Sequence, residues 1–321
     1  MGNLREQEVH SATLLGLGFV PGEVHYLGKQ DQESYEFWRD NRRVPSSRLH
    51  TNILDAYDAV GRRNESNNVI VVSPDSHSLG AALVLDKSMT HIVGDFPLVG
   101  GPAMNGRARL GMSTTFSPMV TVSGSGNLIQ SLYSMHGTAA ADYIGWLISG
   151  HRNRFRECHF GGPMAALQGG HASYEGVAID GSENYFKHCV FGTDTIGRDE
   201  TSPNVTLGAG TLTTFDECLF LANLTDGDPV FFNVENTSGY TWARFKSCTF
   251  MAFNSNYATK MTYAFTFTGG SSAAMIFTPD CTFQNVAHLA TAAHHPYLWL
   301  PTMFAATADE LNMLSLNTAS Y

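Results

Sequence analysis

Apolar and polar positions in the second half of the chain follow one pattern five times. The segments are Phe155-Arg-Glu-Cys158-His-Phe160, Phe186-Lys-His-Cys189-Val-Phe191, Phe215-Asp-Glu-Cys218-Leu-Phe220, Phe245-Lys-Ser-Cys248-Thr-Phe250 and Phe277-Thr-Pro-Asp-Cys281-Thr-Phe283. Each is preceded by a second short apolar run: Trp146-Leu-Ile148, Val177-Ala-Ile179, Val205-Thr-Leu207, Val230-Phe-Phe-Asn-Val234 and Phe265-Thr-Phe267. Within a unit, the cysteine and the second phenylalanine are two apart and share one face of a strand. The first phenylalanine lies three before the cysteine, the wrong parity for a continuous strand, so a bend of polar residues between them is expected to return it to the same interior. Two or three short strands in every thirty-odd residues, separated by Gly, Asn, Ser and Asp, predict an all-β fold, a right-handed parallel β-helix.

The cysteines step by 31, 29, 30 and 33 residues, and every cysteine of the chain belongs to the series. Such a period marks stacked repeats and, over the length after residue 60, predicts about ten coils. Stacking would place Cys158, Cys189, Cys218, Cys248 and Cys281 in one interior ladder, and Phe160, Phe191, Phe220, Phe250 and Phe283 in another. An odd number of evenly spaced cysteines argues against a disulfide framework, and no Cys-x2-Cys pair is present for zinc. Buried, free thiols are the expectation.

Residues 1–48 do not fit the repeat and are read as an N-terminal arm. Ala12 to Val20 is apolar and Gly-rich; Glu23 to Arg43 is polar, with Tyr26, Tyr35, Phe37 and Trp38 interleaved. Aromatics of this type anchor interfaces, and either a neighbouring subunit or the chain's own first coils can receive them. From Thr51 to Val60, Ile53, Leu54, Tyr57 and Val60 recur at helical spacing behind Thr51 or Asn52 as N-cap, which predicts a helix covering the open end of the solenoid. With that end closed by the helix, the arm is expected to be dispensable for folding and to serve attachment. The β-helix is assigned to 49–290 and a C-terminal cover to 291–321, in which Phe304 to Tyr321 is read as a short helix or strand and His294-His295 as packing. Val99 to Arg109 reads as a long loop.

The net charge of −10 makes nucleic acid an unsuitable partner. No apolar run has the length of a membrane span, and the first residues lack the apolar core of a secretory signal. No cofactor is implied.

Leu54 through Val60, Asn68-Val-Ile-Val-Val-Ser-Pro74, Leu83-Val-Leu-Asp-Lys-Ser88 and His91-Ile-Val-Gly94 resemble the opening coils of pectin-lyase-like β-helix proteins, in the version found in tailed-phage virion proteins. The resemblance implies the fold over most of 49–290 and admits lyases, hydrolases, tailspikes and passive virion components alike. Its catalytic blocks are missing; Gly150-His151-Arg152 is a fragment of one. Two carboxylates remain as a candidate pair: Glu157 and Glu217 occupy one position two coils apart, about 10 Å along the axis at the spacing of stacked strands, within reach of inverting glycosidase geometry. Acids at a bend are more often solvated turn residues. Asp194, Glu200, Asp226 and Asp228 form a weaker acidic set on loops of variable length, and Asp180 stands alone. The expected function is therefore a non-enzymatic virion protein, a capsid decoration (cement) protein or related component, assembled in the host cytoplasm. It would act as a homotrimer contacting the major capsid protein or other virion proteins, with host-surface glycan as a further ligand. The competing expectation is a polysaccharide-binding or -cleaving tailspike or carbohydrate lyase.

Overall fold

The computed structural model describes residues 21–30, 32–41, 43–61, 67–95, 108–112, 116–136, 143–163, 174–198, 201–208, 210–226, 228–235, 240–254, 259–269, 273–300 and 314–315. Ala12 to Val20, Glu200, most of Val99 to Arg109, and Phe304 to Tyr321 except Leu314–Ser315 lie outside them. Strands of eleven, ten and seven members form three sheets, with a separate two-stranded ribbon. The chain visits the sheets in rotation: Arg154–Arg156 in the first, His159–Pro163 in the second, Tyr174–Ile179 in the third, then Asn184–Lys187 in the first again. Strand pairs are parallel except where Leu314–Ser315 runs antiparallel to Thr282–Gln284. This is a parallel β-solenoid. Its third sheet has seven strands, so at most seven turns show all three faces, fewer than the ten expected. The shortfall is at the ends, where Val24–Leu27, Leu49–His50 and Leu298–Trp299 extend the first sheet alone. Arg109 is not loop; it belongs to the strand Ala108–Met112 of the second sheet.

The repeat units stack in register. Phe155, Phe186, Phe215, Phe245 and Phe277 are direct partners on successive strands of the first sheet. Their rings lie face to face at 4.6, 5.1, 5.2 and 4.9 Å. Phe160, Phe191, Phe220, Phe250 and Phe283 form a second stack at 4.9, 4.9, 4.8 and 4.4 Å on the second sheet. The two stacks meet edge to face, as Phe186 and Phe191 do at 5.5 Å, an arrangement that the ring quadrupole favours. The five cysteines are free and buried between them. Each Sγ–H points at a carbonyl of the turn before: Cys158 at Ile129, Cys189 at Phe155, Cys218 at Phe186, Cys248 at Phe215 and Cys281 at Phe245. Burial pushes the Cys189 and Cys248 thiols above their ordinary range, which leaves little reactive thiolate.

A polar ladder runs beside the aromatic ones, where the chain passes from the third sheet back to the first. Gly124-Ser-Gly-Asn127, Gly150-His-Arg-Asn153 and Gly181-Ser-Glu-Asn184 hold the same place in three successive turns. The Oδ1 of Asn127, Asn153 and Asn184 accepts the N–H of Thr90, Asn127 and Asn153 respectively, each at 2.9 Å. The amide nitrogens return bonds to Gly124 and Gly150 carbonyls. Buried backbone groups at the turn are thereby satisfied from within the stack. The glycines are needed for close approach: a Cβ on Gly181 would stand 1.9 Å from the Gly150 carbonyl oxygen. Gly150-His151-Arg152 is part of this turn.

At the N-terminal end the helix forms over Ile53–Ala59, with Asn52 as N-cap accepting from the Leu54 N–H at 2.9 Å. Ile53, Ala56 and Tyr57 are buried in the main core. Lys87, from the turn after strand Leu83–Leu85, donates its ammonium to the Val60 and Tyr57 carbonyls. A cation at the carbonyl end complements the helix dipole.

The arm is not outside the solenoid. Val24–Leu27 pairs in parallel with Asn68–Val72 and adds a strand to the first sheet. Tyr26 and Trp38 are both 4% exposed, with ring centroids 5.2 Å apart, and pack with Val69, Val71 and Val93 in a second core cluster on the outer face of that sheet. Tyr35 is half-buried against it. Phe37 remains 40% exposed. Of the two receivers weighed for these aromatics, the chain's own first coils take Tyr26 and Trp38. Strand pairing and these two rings make the arm part of the first sheet and its outer cover. In the C-terminal cover, His294 bonds Thr291 and His295 bonds the Ala290 carbonyl.

Two outcomes follow. Trp38→Ala should cost about 3–5 kcal/mol, the range for a buried aromatic, read as a fall in melting temperature; an unchanged melting point would place Trp38 outside the fold. A thiol reagent should titrate the five cysteines only after denaturation, and rapid labelling of the native protein would contradict the ladder.

Candidate functional site

The parity break in the first four repeat units is made by one residue in the left-handed backbone region, and Ser131 holds the same place one turn earlier. Ser131, Glu157, His188, Glu217 and Ser247 have φ of 56, 55, 53, 53 and 51°. None is glycine, so each position is strained by about 1 kcal/mol. A repeated backbone bond offsets the strain: the N–H groups of Ser131, Glu157, His188 and Glu217 donate to the carbonyls of Arg156, Lys187, Asp216 and Lys246 at 2.8–3.0 Å. The fifth unit is one residue longer and puts Asp280 beside Ser247.

This places the candidate pair. Glu157 and Glu217 stand on the bend, two turns apart, with His188 between them. The Glu157 carboxylate accepts from Ser131 Oγ at 3.2 Å, and the Glu217 carboxylate pairs with His188 Nε2. They are rungs of one side-chain ladder.

The bend borders the outer face of the first sheet, where Arg154, Arg156, Tyr185, Lys187, Thr214, Asp216, Arg244 and Lys246 point away from the phenylalanine core. Asp216 is buried there: Tyr185 donates to its Oδ2 at 2.5 Å and Lys246 Nζ lies 3.2 Å from Oδ1. Burial acts to raise the Asp216 carboxyl, but these bonds outweigh it and hold it below the usual range. Burial and the bond to Asp216 push the Tyr185 phenol up to about 12.

A second carboxylate group, on the third sheet, was not legible in advance. Burial and the charge of Glu235 push Glu175 up to about 7, with Asp180 adding to the effect and a bond from Thr206 opposing it. Burial also raises Asp180. Asp180 is therefore not alone; it shares an electrostatic neighbourhood with Glu175 of its own turn and with Glu235, brought from two turns on. The acidic loop set does not assemble comparably: Asp194 offers its carbonyl to Asn223, and Asp226 accepts from the Asp228 N–H. Among the described residues no group of three or more His, Cys, Asp or Glu side chains is placed to hold a metal. A depression lined by Tyr57, Asp58, Val84, Asp86 and Lys87 belongs to the helix attachment, since Tyr57 bonds Asp86 and Lys87 while Lys87 caps the helix.

No protein-family model matches the chain, and no curated protein matches it. Among solved structures, the pectate lyase Pel9A aligns with 85% of this chain and 68% of its own, at 14% identity and a TM-score of 0.55. The chain has the pectin-lyase-like parallel β-helix fold. ORF18 of Geobacillus virus E2 aligns with 72% of this chain and 57% of its own, at 13% identity and a TM-score of 0.35. At these identities the pectin-lyase-like likeness concerns the fold alone.

The perturbed groups give the fold opposing pH dependences. Glu175 titrates at about 7 when folded and near 4.5 when unfolded, so it lowers stability as pH rises through that interval. His91, whose Nδ1 accepts the Leu128 N–H, is held by burial at about 4 against 6.5 unfolded, so its contribution is lost as pH falls from about 6.5 to 4. Glu175→Gln should therefore steepen the rise of stability with pH between about 4.5 and 7, and His91→Gln should flatten it. Melting temperatures across this range check both signs.

Proposed function

We propose that the chain is a non-enzymatic structural protein of a tailed-phage virion, a right-handed β-helical decoration (cement) protein or related component. In this reading the helix Ile53–Ala59 caps the solenoid, and three copies assemble on the major capsid protein or other virion proteins after synthesis in the host cytoplasm. Phe37, Val84, Tyr240 and Trp299, at 40, 48, 62 and 60% exposure, are the exposed large apolar side chains among the described residues. The observation that carries the non-enzymatic half of the reading is the bend ladder. Glu157 and Glu217 are engaged by Ser131 and His188 at positions the backbone turn requires, whereas a glycosidase needs two carboxyls facing one bond from opposite sides. The virion half rests on the resemblance of the opening coils, Leu54 to Gly94.

A second reading, a polysaccharide-binding or -cleaving tailspike or lyase, is favoured by one observation. Glu175, pushed up to about 7 beside Glu235 and Asp180, has the proton affinity of a group able to act as acid or base near neutrality.

One assay separates the two. Incubation with pectate, or with host-surface polysaccharide, should release no new reducing ends or unsaturated products. Product formation abolished by Glu175→Gln, and unaffected by Glu157→Gln or Glu217→Gln, would establish the second reading at the third sheet.

A further inference from the structure

Two rows of side chains cross the outer face of the first sheet along the solenoid axis. One row is Arg154, Tyr185, Thr214 and Arg244; the other is Arg156, Lys187, Asp216 and Lys246. Successive members are direct strand partners, about 4.8 Å apart. Five of the eight are cations, in a chain whose net charge is −10. Arg156 stands directly opposite Lys187, an arrangement that destabilises a sheet unless something neutralises it. Asp216 is the one carboxylate in the two rows, and its oxygens are taken by Tyr185 and Lys246. At the border, Glu157 lies 3.8 Å from Arg156, and Glu217 is engaged by His188. Arg154, Lys187 and Arg244 make no ion pair among the described residues, and Arg154 and Arg244 are exposed.

We infer that this face is a docking surface for an extended, carboxylate-rich segment of a partner protein lying along the solenoid axis. The charge is complementary, and its linear arrangement matches an extended chain. The hydrogen-bonding character of the face favours peptide over sugar. Guanidinium and ammonium groups only donate. A sugar ring brings many hydroxyl donors, for which the two rows offer only the hydroxyl oxygens of Tyr185 and Thr214 once Asp216 is occupied. Asp and Glu side chains bring acceptors alone. The acidic remainder of the chain repels such a segment, which restricts it to this face. The inference does not depend on the virion reading, and the polysaccharide assay above leaves it untouched.

The test uses the full chain and fluorescently labelled poly-L-glutamate, followed by anisotropy. Binding should be present at low salt and weaken by about tenfold or more as ionic strength rises from about 0.05 to 0.3 M, because exposed charges are screened. The triple variant Arg154→Gln, Lys187→Gln, Arg244→Gln removes cations that hold no ion pair, so it should fold with an undiminished melting temperature and bind at least about tenfold more weakly. Lys187→Glu alone should act in the same direction, and it decides the matter should the triple variant fail to fold. Arg39→Gln, on the arm beside Asp40, should bind as the parent does. Absence of binding at low salt, or equal binding by a folded variant, would overturn the proposal. So would binding of polygalacturonate or heparin through these residues without binding of poly-L-glutamate, which would make the face a glycan site.

Discussion

A parallel strand cannot bring Phe155 and Cys158 to one interior, because three residues reverse the side-chain direction. The turns carrying Phe155, Phe186, Phe215 and Phe245 resolve that conflict identically. Its solution is the left-handed residue at Glu157, His188 and Glu217, which turns the chain from the first sheet to the second. The N–H it exposes is taken by the next turn, so the bend is a stacked element with its own ladder. Everything inside follows from that regularity. The four turns from Phe155 to Phe250 repeat the same corner, and the fifth, with one extra residue, still brings Phe277 and Phe283 onto the two stacks at 4.9 and 4.4 Å. The cysteine one residue past the corner is small enough to fit between two ring stacks, and its thiol finds a carbonyl of the preceding turn.

The same corner explains which parts of the molecule were legible in the sequence. Phe-x-x-Cys-x-Phe is a dense apolar signal, and its period placed the strands, the bend and the buried thiols. The third-sheet corner is equally regular in space but is written in Gly and Asn, residues that occur in any turn. Its signature, Gly-x-x-Asn at 124, 150 and 181, becomes meaningful once the asparagine side chains are seen bonding along the axis. The arm was harder to place because Tyr26 and Trp38 have the composition of an interface anchor whether the partner is another chain or the first sheet itself. Four residues of pairing, Val24 to Leu27 on Val69 to Val72, decide it. Glu175 and Glu235 were invisible as a pair because they are distant in sequence, and the pairing of Val177 with Val205 and Val205 with Phe232 is what brings their strands together.

Regular stacking also separates the roles of the faces. The interior is built mainly from what repeats: phenylalanine, cysteine, aliphatics and bonded asparagine. On the first sheet the charged side chains that alternate with the phenylalanines fall on the outer face, where register lines them up whether or not they are alike in charge. On the first sheet that alignment sets Arg156 against Lys187 and leaves Asp216 between Lys187 and Lys246. On the third sheet the aligned outer row is Val84, Thr121, Leu147, Ala178, Thr206, Asn233 and Thr266, without a charge. One scaffold thus presents a cationic face on the first sheet and, on the third, a neutral central row flanked by Glu175, Asp180 and Glu235.

A solenoid must also stop, and its two ends do so differently. Open strand edges invite pairing with other chains. At the N-terminal end the first sheet finishes in Leu49–His50, two residues long, beyond Val24–Leu27. There His25 Nδ1 lies 3.0 Å from His50 Nε2 with the rings stacked, and burial lowers the proton affinity of both. A hydrogen bond between two imidazoles requires one nitrogen without a proton, and the lowered affinity favours that neutral form. At the other end Leu298–Trp299 ends the first sheet, and Leu314–Ser315 runs antiparallel on the last strand of the second. An antiparallel strand cannot template a further turn of a parallel solenoid, since the next coil would have to enter in the reverse direction. Among the described residues, the second sheet thus ends in a strand of opposite sense and the first begins in a short one.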